Sequence, residues 1–357
     1  MSIKDAPVPT ASADSPGKKS GSAPLDVVGQ TVSPTRRFIA KLTRSTPFLL
    51  LILLAVLAMF FSYIRPDAFP TLINSRNILT DVSVLLVMAV GMTYVMVAGG
   101  FDLSIGSTLV FSSVVAAKVM ESQGGQGWST AFLGLAVGLL AGLFWGLLNG
   151  FVITKLNVPA LIATLGTMGA GLGFARLLTS GNDVRTVPDV LIQLSSSMYF
   201  GLPFIVLLSG LVALIGGLFL ALTRFGRHTY IIGSNDEAAR RGGIKVDRHL
   251  IVLYGMNGLL AGLAGMMSLT RFSTTTIAGH SNDVLQVITG VVLGGTSLFG
   301  GVGTVIGTAF GMLVSSILNN GFIIIGVEPF WQEVAVGFIL IGAVYLDQRR
   351  RRRRDRS

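Results

Sequence analysis

The segment Thr223–His249 has the sequence TRFGRHTYIIGSNDEAARRGGIKVDRH and is the only strongly charged stretch between long apolar runs of this chain. We call it the central polar segment. The sequence on both sides consists of apolar stretches of roughly 20 residues, the length that spans a bilayer as a helix. This arrangement predicts a membrane protein that carries a water-exposed element between its two apolar halves.

The composition supports the same class of protein. Of the 357 residues, 51% are hydrophobic and only 12% are charged, and the mean hydropathy is +0.71. A soluble domain carries about 25% charged residues. Continuous apolar runs indicate helices, because a membrane barrel shows short strands of alternating polarity. The predicted fold class is therefore an all-α polytopic membrane protein. The absence of cysteine excludes disulfides and thiolate metal sites.

About ten apolar segments are predicted to span the membrane. In chain order they are Thr46–Ile64, Ile78–Ala98, Leu103–Met120, Thr130–Ile153, Val158–Leu178, Leu202–Leu222, Leu250–Thr270, Val284–Leu298, Val302–Leu318 and Phe330–Tyr345. The eighth and ninth are short and rich in glycine. An even number of spans places both termini on the same side of the membrane.

The basic residues indicate the orientation. The net charge is +10, and 21 of the 27 Lys and Arg residues lie in the N-terminal region, after the fourth span, in the central polar segment or at the C-terminus. Basic clusters beside apolar spans are typical of cytoplasmic ends and of contact with anionic lipid, so nucleic acid is not an expected partner. We expect a disordered cytoplasmic tail over 1–35, a membrane domain over 36–346 and a basic cytoplasmic tail over 347–357.

Glycine spacing predicts close helix packing. Five glycines from Gly134 to Gly150 recur every four residues, and Gly303, Gly307 and Gly311 repeat the pattern. Small residues on one helical face allow backbones to approach closely in lipid, either within one subunit or across a dimer seam. The motif Asn149-Gly150-Phe151 also resembles Asn320-Gly321-Phe322. In the predicted topology the first motif lies inside and the second outside, and this opposite placement is what an inverted repeat would give. The paired glycines at 99–100 and 294–295 fit such a repeat less well.

Polar residues inside apolar runs are the candidates for a solute path. Asp102 follows two glycines, and it serves there either as a helix N-cap, together with Ser104, or as part of a permeation path. Thr and Asn side chains nearby are able to contact a hydroxylated solute. The predicted substrate-path residues are Asp102, Ser104, Asn149, Thr164, Thr167 and Asn257. Asp81 and Glu333 are predicted to be buried polar residues and, like Asn149 and Asn257, to form hydrogen bonds between helices in preference to contacts with a ligand. His228, His249 and His280 have no metal-ligand spacing and are predicted to lie in loops.

The central polar segment carries its own helix signal. Asn235-Asp236 is a good N-cap, the residues Glu237–Arg241 favour helix, and Gly242 and Gly243 provide a stop. Gly17-Lys18-Lys19-Ser20 is not the end of a phosphate-binding loop, because Ser12 occupies the position of the upstream glycine. Any energy for transport is therefore expected to come from another subunit, which acts on this short helix.

Four motifs together resemble the membrane permeases of bacterial ATP-binding-cassette importers for ribose, xylose and galactose. They are GMTYVMVAGGFDLSIGS (Gly91–Ser107), GLLNGFVITKLNVPALIATLGTMGAGLG (Gly146–Gly173), GSNDEAARRGGI (Gly233–Ile244) and GVVLGGTSLFGGVGTVIGT (Gly290–Thr308). The resemblance covers about Arg36 to Tyr345. It implies a fold of this permease type, in the bacterial inner membrane, and a transport subunit that is not itself an enzyme.

The resemblance also implies partners and residue roles. The implied partners are two cytoplasmic ATPases, a periplasmic sugar-binding protein, and a second permease copy in a homodimer or heterodimer. The ATPases bind ATP and Mg²⁺, so this chain is expected to have no cofactor of its own. The ATPase-coupling residues implied are Gly233, Asn235, Glu237, Ala238, Ala239 and Gly243. Permeases for autoinducer-2 or branched-chain amino acids share the scaffold, and a self-powered secondary transporter is a further alternative. The identity of the sugar is expected to depend on the binding protein.

Overall fold

The structure, a computed structural model, describes residues 46–280 and 282–354. Within them the chain forms thirteen helices and one two-stranded hairpin. The elements are α1 Thr46–Ile64, α2 Leu72–Val97, α3 Ile105–Gln123, α4 Trp128–Lys155, α5 Ala160–Thr179, α6 Asp189–Ser196, β1 Met198–Tyr199, β2 Leu202–Pro203, α7 Phe204–Leu222, α8 Arg224–Ser234, α9 Asp236–Arg241, α10 Val246–Phe272, α11 Asp283–Leu293, α12 Val305–Ile324 and α13 Pro329–Arg354. The predicted tail over 1–35 lies outside the described residues.

Each of the ten predicted spans corresponds to a helix. Among the described residues, eight helices are long and apolar enough to cross a membrane, namely α1, α2, α3, α4, α5, α7, α10 and α12. The two shorter apolar segments are α11 and residues Phe330–Ile339 of α13. The all-α polytopic fold class is confirmed, with the count of ten spans approximate.

Four predicted span ends need correction. The second span starts earlier than predicted, because its helix α2 begins at Leu72. The eighth span is shorter than predicted, because α11 ends at Leu293 and Gly295 takes a left-handed φ of 91°. The ninth is longer, since α12 continues to Ile324. The tenth continues as helix through the basic run as far as Arg354, so the described part of the predicted 347–357 tail extends α13.

The helices define two ends of one bundle. Segments 98–104, 223–245 and 294–304 meet at what we call the polar-segment end, where the Gly301 backbone N–H donates to the Val97 carbonyl over 2.8 Å. At the opposite end, which we call the hairpin end, the Val184 N–H donates to the Thr275 hydroxyl over 2.8 Å. Successive long helices run between these two ends in alternating directions.

The predicted glycine face of α4 packs within the chain. Gly142 and Gly146 lie directly against Gly258 and Gly262 of α10, and a Cβ added at Gly146 would fall on the Tyr254 carbonyl oxygen. The second glycine set also packs internally, because Gly307 and Gly311 lie against the backbone of Gly290 and Gly294. Of the two interpretations left open by the sequence, packing within one subunit therefore accounts for both glycine sets.

The repeated motifs occupy different ends. Asn149-Gly150-Phe151 lies near the polar-segment end of α4, whereas Gly321 of the second motif packs on the Phe61 ring near the hairpin end. This opposite placement agrees with an inverted repeat. The two glycine pairs, in contrast, end α2 and α11 at the same end of the bundle. They therefore do not follow the inverted relation.

We expect Gly146→Ala and Gly169→Ala to change stability in opposite directions. The added methyl at Gly146 meets α10 backbone, and overpacking of this kind destabilises by about 1–3 kcal/mol. A methyl at Gly169 of α5 meets no atom within 4 Å, and replacing a helical glycine by alanine there stabilises by roughly 0.5–1 kcal/mol. Thermal unfolding of the two purified variants in detergent measures both effects. Equal shifts would contradict the α4–α10 seam.

Candidate coupling site and buried polar network

The centre of the polar segment folds as the sequence predicts. The Asn235 side-chain oxygen accepts from the Ala238 backbone N–H over 2.9 Å, and this cap starts the six-residue helix α9 at Asp236. Gly243, with φ of 83°, follows the end of the helix, where a left-handed conformation suits glycine. The predicted helix, its cap and its stop are confirmed.

Ion pairs tie α9 to its neighbours. Arg240 contacts Asp247 of α10 over 2.6 Å and Asp236 over 3.2 Å, and Lys155 at the end of α4 contacts Asp247 over 3.3 Å. The Asp247 hydrogen bond raises the pKa of Arg240 above its ordinary value. Arg241 pairs with Glu237 over 2.6 Å, with both side chains largely exposed. Exposed pairs contribute little stability, so their main effect is on orientation.

The six predicted coupling residues fall into two groups. Asn235, Glu237, Ala238 and Gly243 are exposed and available to a partner. Ala239 is 1% exposed and packs with Ile232 and Val246, so its side chain faces into the chain. Gly233 is partly exposed and packs against backbone of this chain. The coupling role of all six residues stays a prediction.

Gly233 holds α8 against both interhelical loops at this end. A Cβ at Gly233 would fall on the Val97 carbonyl oxygen at the end of α2 and lie close to the Gly301 nitrogen. Gly300, with φ of 84°, is packed against the backbone of both Gly99 and Gly233. Three backbone segments thus meet with no side chain between them.

Two tyrosine hydroxyls, one on α8 and one on α10, form hydrogen bonds to the loops 294–304 and 98–104. Tyr230 of α8 donates to the Gly303 carbonyl over 2.6 Å, and Tyr254 of α10 donates to the Phe101 carbonyl over 3.0 Å. Neither tyrosine was predicted as a site residue. The aromatic hydroxyl itself was the available signal, since a buried Tyr hydroxyl usually finds a polar partner.

The six predicted substrate-path residues form one connected network. Asp102 is its centre: Oδ1 accepts from the Ser104 backbone N–H over 2.9 Å and from the Ser104 hydroxyl over 2.6 Å, and Oδ2 accepts from Asn257 over 2.7 Å. Asn149 donates to the Ser104 hydroxyl over 2.7 Å and accepts from Thr167 over 2.7 Å. The loop between α2 and α3 is thereby bonded to α4, α5 and α10.

The network is buried and its geometry differs from a simple N-cap. Asp102, Ser104, Asn149, Thr164 and Asn257 are each at most 2% exposed. Ser104 is the residue before α3, but its side chain makes no capping bond; the Thr164 hydroxyl instead accepts from the Leu103 N–H over 3.1 Å. Asn257 Oδ1 has no hydrogen-bond partner among the described residues. The arrangement locks the loop in place from three helices.

Replacing Asp102 by alanine should destabilise the chain by about 1–3 kcal/mol, because the buried Asn257 and Ser104 donors would lose their acceptor. The matched control is Asp236→Ala, which removes a carboxylate whose side chain is 57% exposed and should cost less than about 1 kcal/mol. Thermal unfolding in detergent compares the two variants. Similar losses would show that the Asp102 network does not hold the loop.

Other polar predictions have mixed outcomes. Asp81 pairs with Arg271 between α2 and α10, as expected, and Glu333 accepts from Asn282, the residue before α11, over 2.7 Å. Both residues are exposed, so the prediction that they are buried is wrong. The prediction that all histidines lie in loops is wrong for His228, on α8, and for His249, which stacks on Phe225 within the bundle. The described residues contain no group of three or more acidic or histidine side chains placed to hold a metal ion.

Known proteins resemble this chain over most of its length. Residues 74–344 match the family described as branched-chain amino acid transport system / permease component. The chain belongs to this family. It is 35% identical to the ribose import permease protein RbsC of Escherichia coli K12 over 327 residues, which is 90% of this chain and 99% of that protein. No solved structure matches the chain.

Two further relatives also carry the names of sugar permeases. The L-arabinose transport system permease protein AraH of Escherichia coli K12 is 34% identical over 84% of this chain and 89% of that protein. The galactose/methyl galactoside import permease protein MglC of Haemophilus influenzae is 33% identical over 84% and 92%, respectively. The sugar-permease resemblance predicted from the four motifs is confirmed, and the chain is a multi-pass membrane transport component.

Proposed function

We propose that this chain is the membrane-spanning permease subunit of an importer that moves a monosaccharide inward using ATP hydrolysed by a partner. The observation that carries the proposal is that α8 and α9 together have one exposed side and one side packed on the bundle. One side is exposed to a partner, and the other contacts the loops at which α2 and α11 end. Family membership and the three named sugar relatives give the transport class and the solute class.

The orientation follows from charge. The polar-segment end carries Lys155, Arg240 and the other basic residues of the central segment. By the positive-inside rule this end and both termini face the cytoplasm, which places the hairpin end outside. A cytoplasmic ATPase would then contact α9, and a binding protein that delivers the sugar would dock at the hairpin end. A second permease copy and anionic lipid complete the proposed set of partners.

In the proposed mechanism, α8 and α9 move together and transmit the motion of the ATPase to the membrane helices. The ATPase, when it binds ATP and Mg²⁺, supplies the energy; this chain requires no cofactor of its own. Movement of α9 carries α8 with it, because Ala239 packs on Ile232 of α8. Gly233 and Tyr230 then transmit the displacement to the loops at 98–104 and 294–304.

The six network residues remain proposed as part of the solute path. In this conformation their side chains are hydrogen-bonded within the network, and all of them except the partly exposed Thr167 are buried. We therefore assign them first to holding the loop between α2 and α3. Contact between Asp102 and a solute requires that loop to move.

The uptake assay separates this function from its alternatives. Proteoliposomes would contain the permease, its ATPase and its binding protein, with labelled D-ribose, L-arabinose or D-galactose outside. We expect uptake of one of these sugars only when ATP is present with the ATPase. Uptake driven by an ion gradient without ATP would indicate a secondary transporter. Selective uptake of L-leucine would indicate the amino-acid alternative that the family description names.

Ala238→Glu should abolish or strongly weaken ATPase association while the permease still inserts and folds. Ala238 is exposed on α9, and a buried unpaired carboxylate in a docked interface costs on the order of several kcal/mol. The charge-matched control is Lys118→Gln at the hairpin end, which also lowers net charge by one. Co-purification with the ATPase measures the outcome. Full association of the Ala238→Glu variant would contradict docking on this face.

Tyr230→Phe should reduce sugar uptake per ATP hydrolysed while ATPase association persists. The variant loses the hydroxyl that bonds to the Gly303 carbonyl, a contact worth about 0.5–1.5 kcal/mol. The matched control is Tyr63→Phe, because Tyr63 is 88% exposed at the end of α1. Parallel uptake and hydrolysis assays give the ratio. An unchanged ratio would show that Tyr230 does not transmit the movement.

A further inference from the structure

A cavity with paired charges lies at the hairpin end, between α2, the end of α10 and the start of α11. Its volume is about 370 Å³, within the range of roughly 300–1,000 Å³ that is usual for small-molecule sites. The lining residues on which the argument depends are Asp81, Arg271, Phe272, Thr276, His280 and Asp283. None of them belongs to the buried polar network or to the α8–α9 unit.

An ion pair forms one wall of this cavity. Arg271 donates to the Asp81 carboxylate and, through Nη1, to the Thr80 carbonyl over 3.2 Å. The side chains of Arg271 and Asp81 are 23% and 46% exposed, so both remain reachable from the cavity. A guanidinium carries five N–H donors and a carboxylate about four acceptor positions. Each group therefore retains capacity for a ligand hydroxyl without breaking the pair.

A histidine held by hydrogen bonds forms another part of the lining. His280 Nδ1 contacts Asp283 over 2.6 Å, while Nε2 contacts the hydroxyls of Ser268 over 2.9 Å and Thr276 over 2.7 Å. His280 and Asp283 are both mostly buried. These contacts hold the ring, the carboxylate and the Thr276 hydroxyl in one geometry. The result is a preorganised set of hydrogen-bonding groups on this side of the cavity.

The rest of the lining is apolar. Val84 and Leu85 of α2 contribute aliphatic surface, and the Phe272 side chain is 48% exposed. The Arg271 guanidinium lies over the Phe272 ring, 4.9 Å from its centroid. Apolar surface beside a few fixed polar groups is typical of small-molecule sites, where the polar groups orient the ligand.

The pairing of these groups indicates the class of ligand. Asp81 is paired with Arg271, and Asp283 is hydrogen-bonded to the His280 ring; these four are the titratable groups among the cavity's lining residues. A charged or zwitterionic solute would have to compete with these pairs. A neutral ring with several hydroxyls is able to share their unused donors and acceptors and to place its C–H face on Phe272.

We infer that this cavity is a receiving site for a neutral polyhydroxylated ring, which it accepts at the outer face before the solute crosses the membrane. The inference rests on the proposed function, because that function supplies both the outward orientation and the monosaccharide as solute. The inferred site is a binding site for the sugar that is separate from the Asp102 network. The site lies at the end where a binding protein would release its sugar.

The test compares transport with hydrolysis in the complete reconstituted importer. The variants are Asp81→Asn, which removes the acceptor charge, and Phe272→Ala, which removes an exposed ring. Lys118→Gln is the matched control, since Lys118 forms an exposed ion pair with Glu121 at the same end. The probe is whichever of D-ribose, L-arabinose and D-galactose the unmodified importer carries. Binding-protein association and hydrolysis stimulated by the loaded binding protein are measured alongside uptake.

We expect Asp81→Asn to lower the sugar carried per ATP on the order of tenfold, the usual loss for one hydrogen bond to a charged group. Phe272→Ala should lower the ratio in the same direction, while stimulated hydrolysis and binding-protein association persist in both variants. An unchanged ratio in Phe272→Ala overturns the inference, as does a parallel loss of uptake and binding-protein association in both variants. Failure of the unmodified importer to carry any of the three sugars would instead overturn the proposed function.

Discussion

The close approach of three backbone segments at the polar-segment end is the constraint on which the rest of the structure depends. Gly233 lies on the Val97 carbonyl, and Gly300 lies between Gly99 and Gly233. A side chain at Gly233 or Gly300 would overlap backbone atoms, and backbone has little freedom to move aside. The α8 helix is therefore in direct contact with the end of α2 and with the loop that follows α11. A displacement of α8 reaches both loops without passing through flexible side chains.

The contacts behind α9 show how a partner's force would enter that arrangement. Ala239, Ile232 and Val246 form a small apolar cluster, whereas the ion pairs of Arg240 are largely exposed and individually weak. Apolar packing therefore carries the connection between α9 and α8. The ion pairs set the angle of α9 relative to α4 and α10. The charges on the exposed side of α9 can therefore change without altering the apolar contact between α9 and α8.

Local features were predictable from the sequence, and features that depend on helix rotation were not. The glycine spacing predicted the α4 packing face, and Asn235 predicted the start of α9. That Ala239 faces inward while Ala238 faces outward depends on Ile232 and Val246, which only the folded chain brings together. The network residues were recognised singly as polar groups in apolar runs. That they form one hydrogen-bonded network around Asp102 depends on how α4, α5 and α10 are rotated relative to one another. The His280–Asp283 spacing was visible, but Arg271 and Asp81 are 190 positions apart.

The two loops at the polar-segment end differ in how firmly they are held. Three hydrogen bonds hold the 98–104 loop: Asp102 and Phe101 bond to α10, and Leu103 bonds to α5. The Asp102–Asn257 bond joins this loop to a buried network that also includes α4. The 294–304 loop meets it through the Gly301–Val97 backbone bond and glycine packing, and meets α8 through Tyr230. Such neutral bonds contribute about 0.5–1.5 kcal/mol each. When α8 is displaced, the contacts between the two loops should therefore break more easily than the hydrogen bonds of the Asp102 network. The 98–104 loop should then move together with α4, α5 and α10.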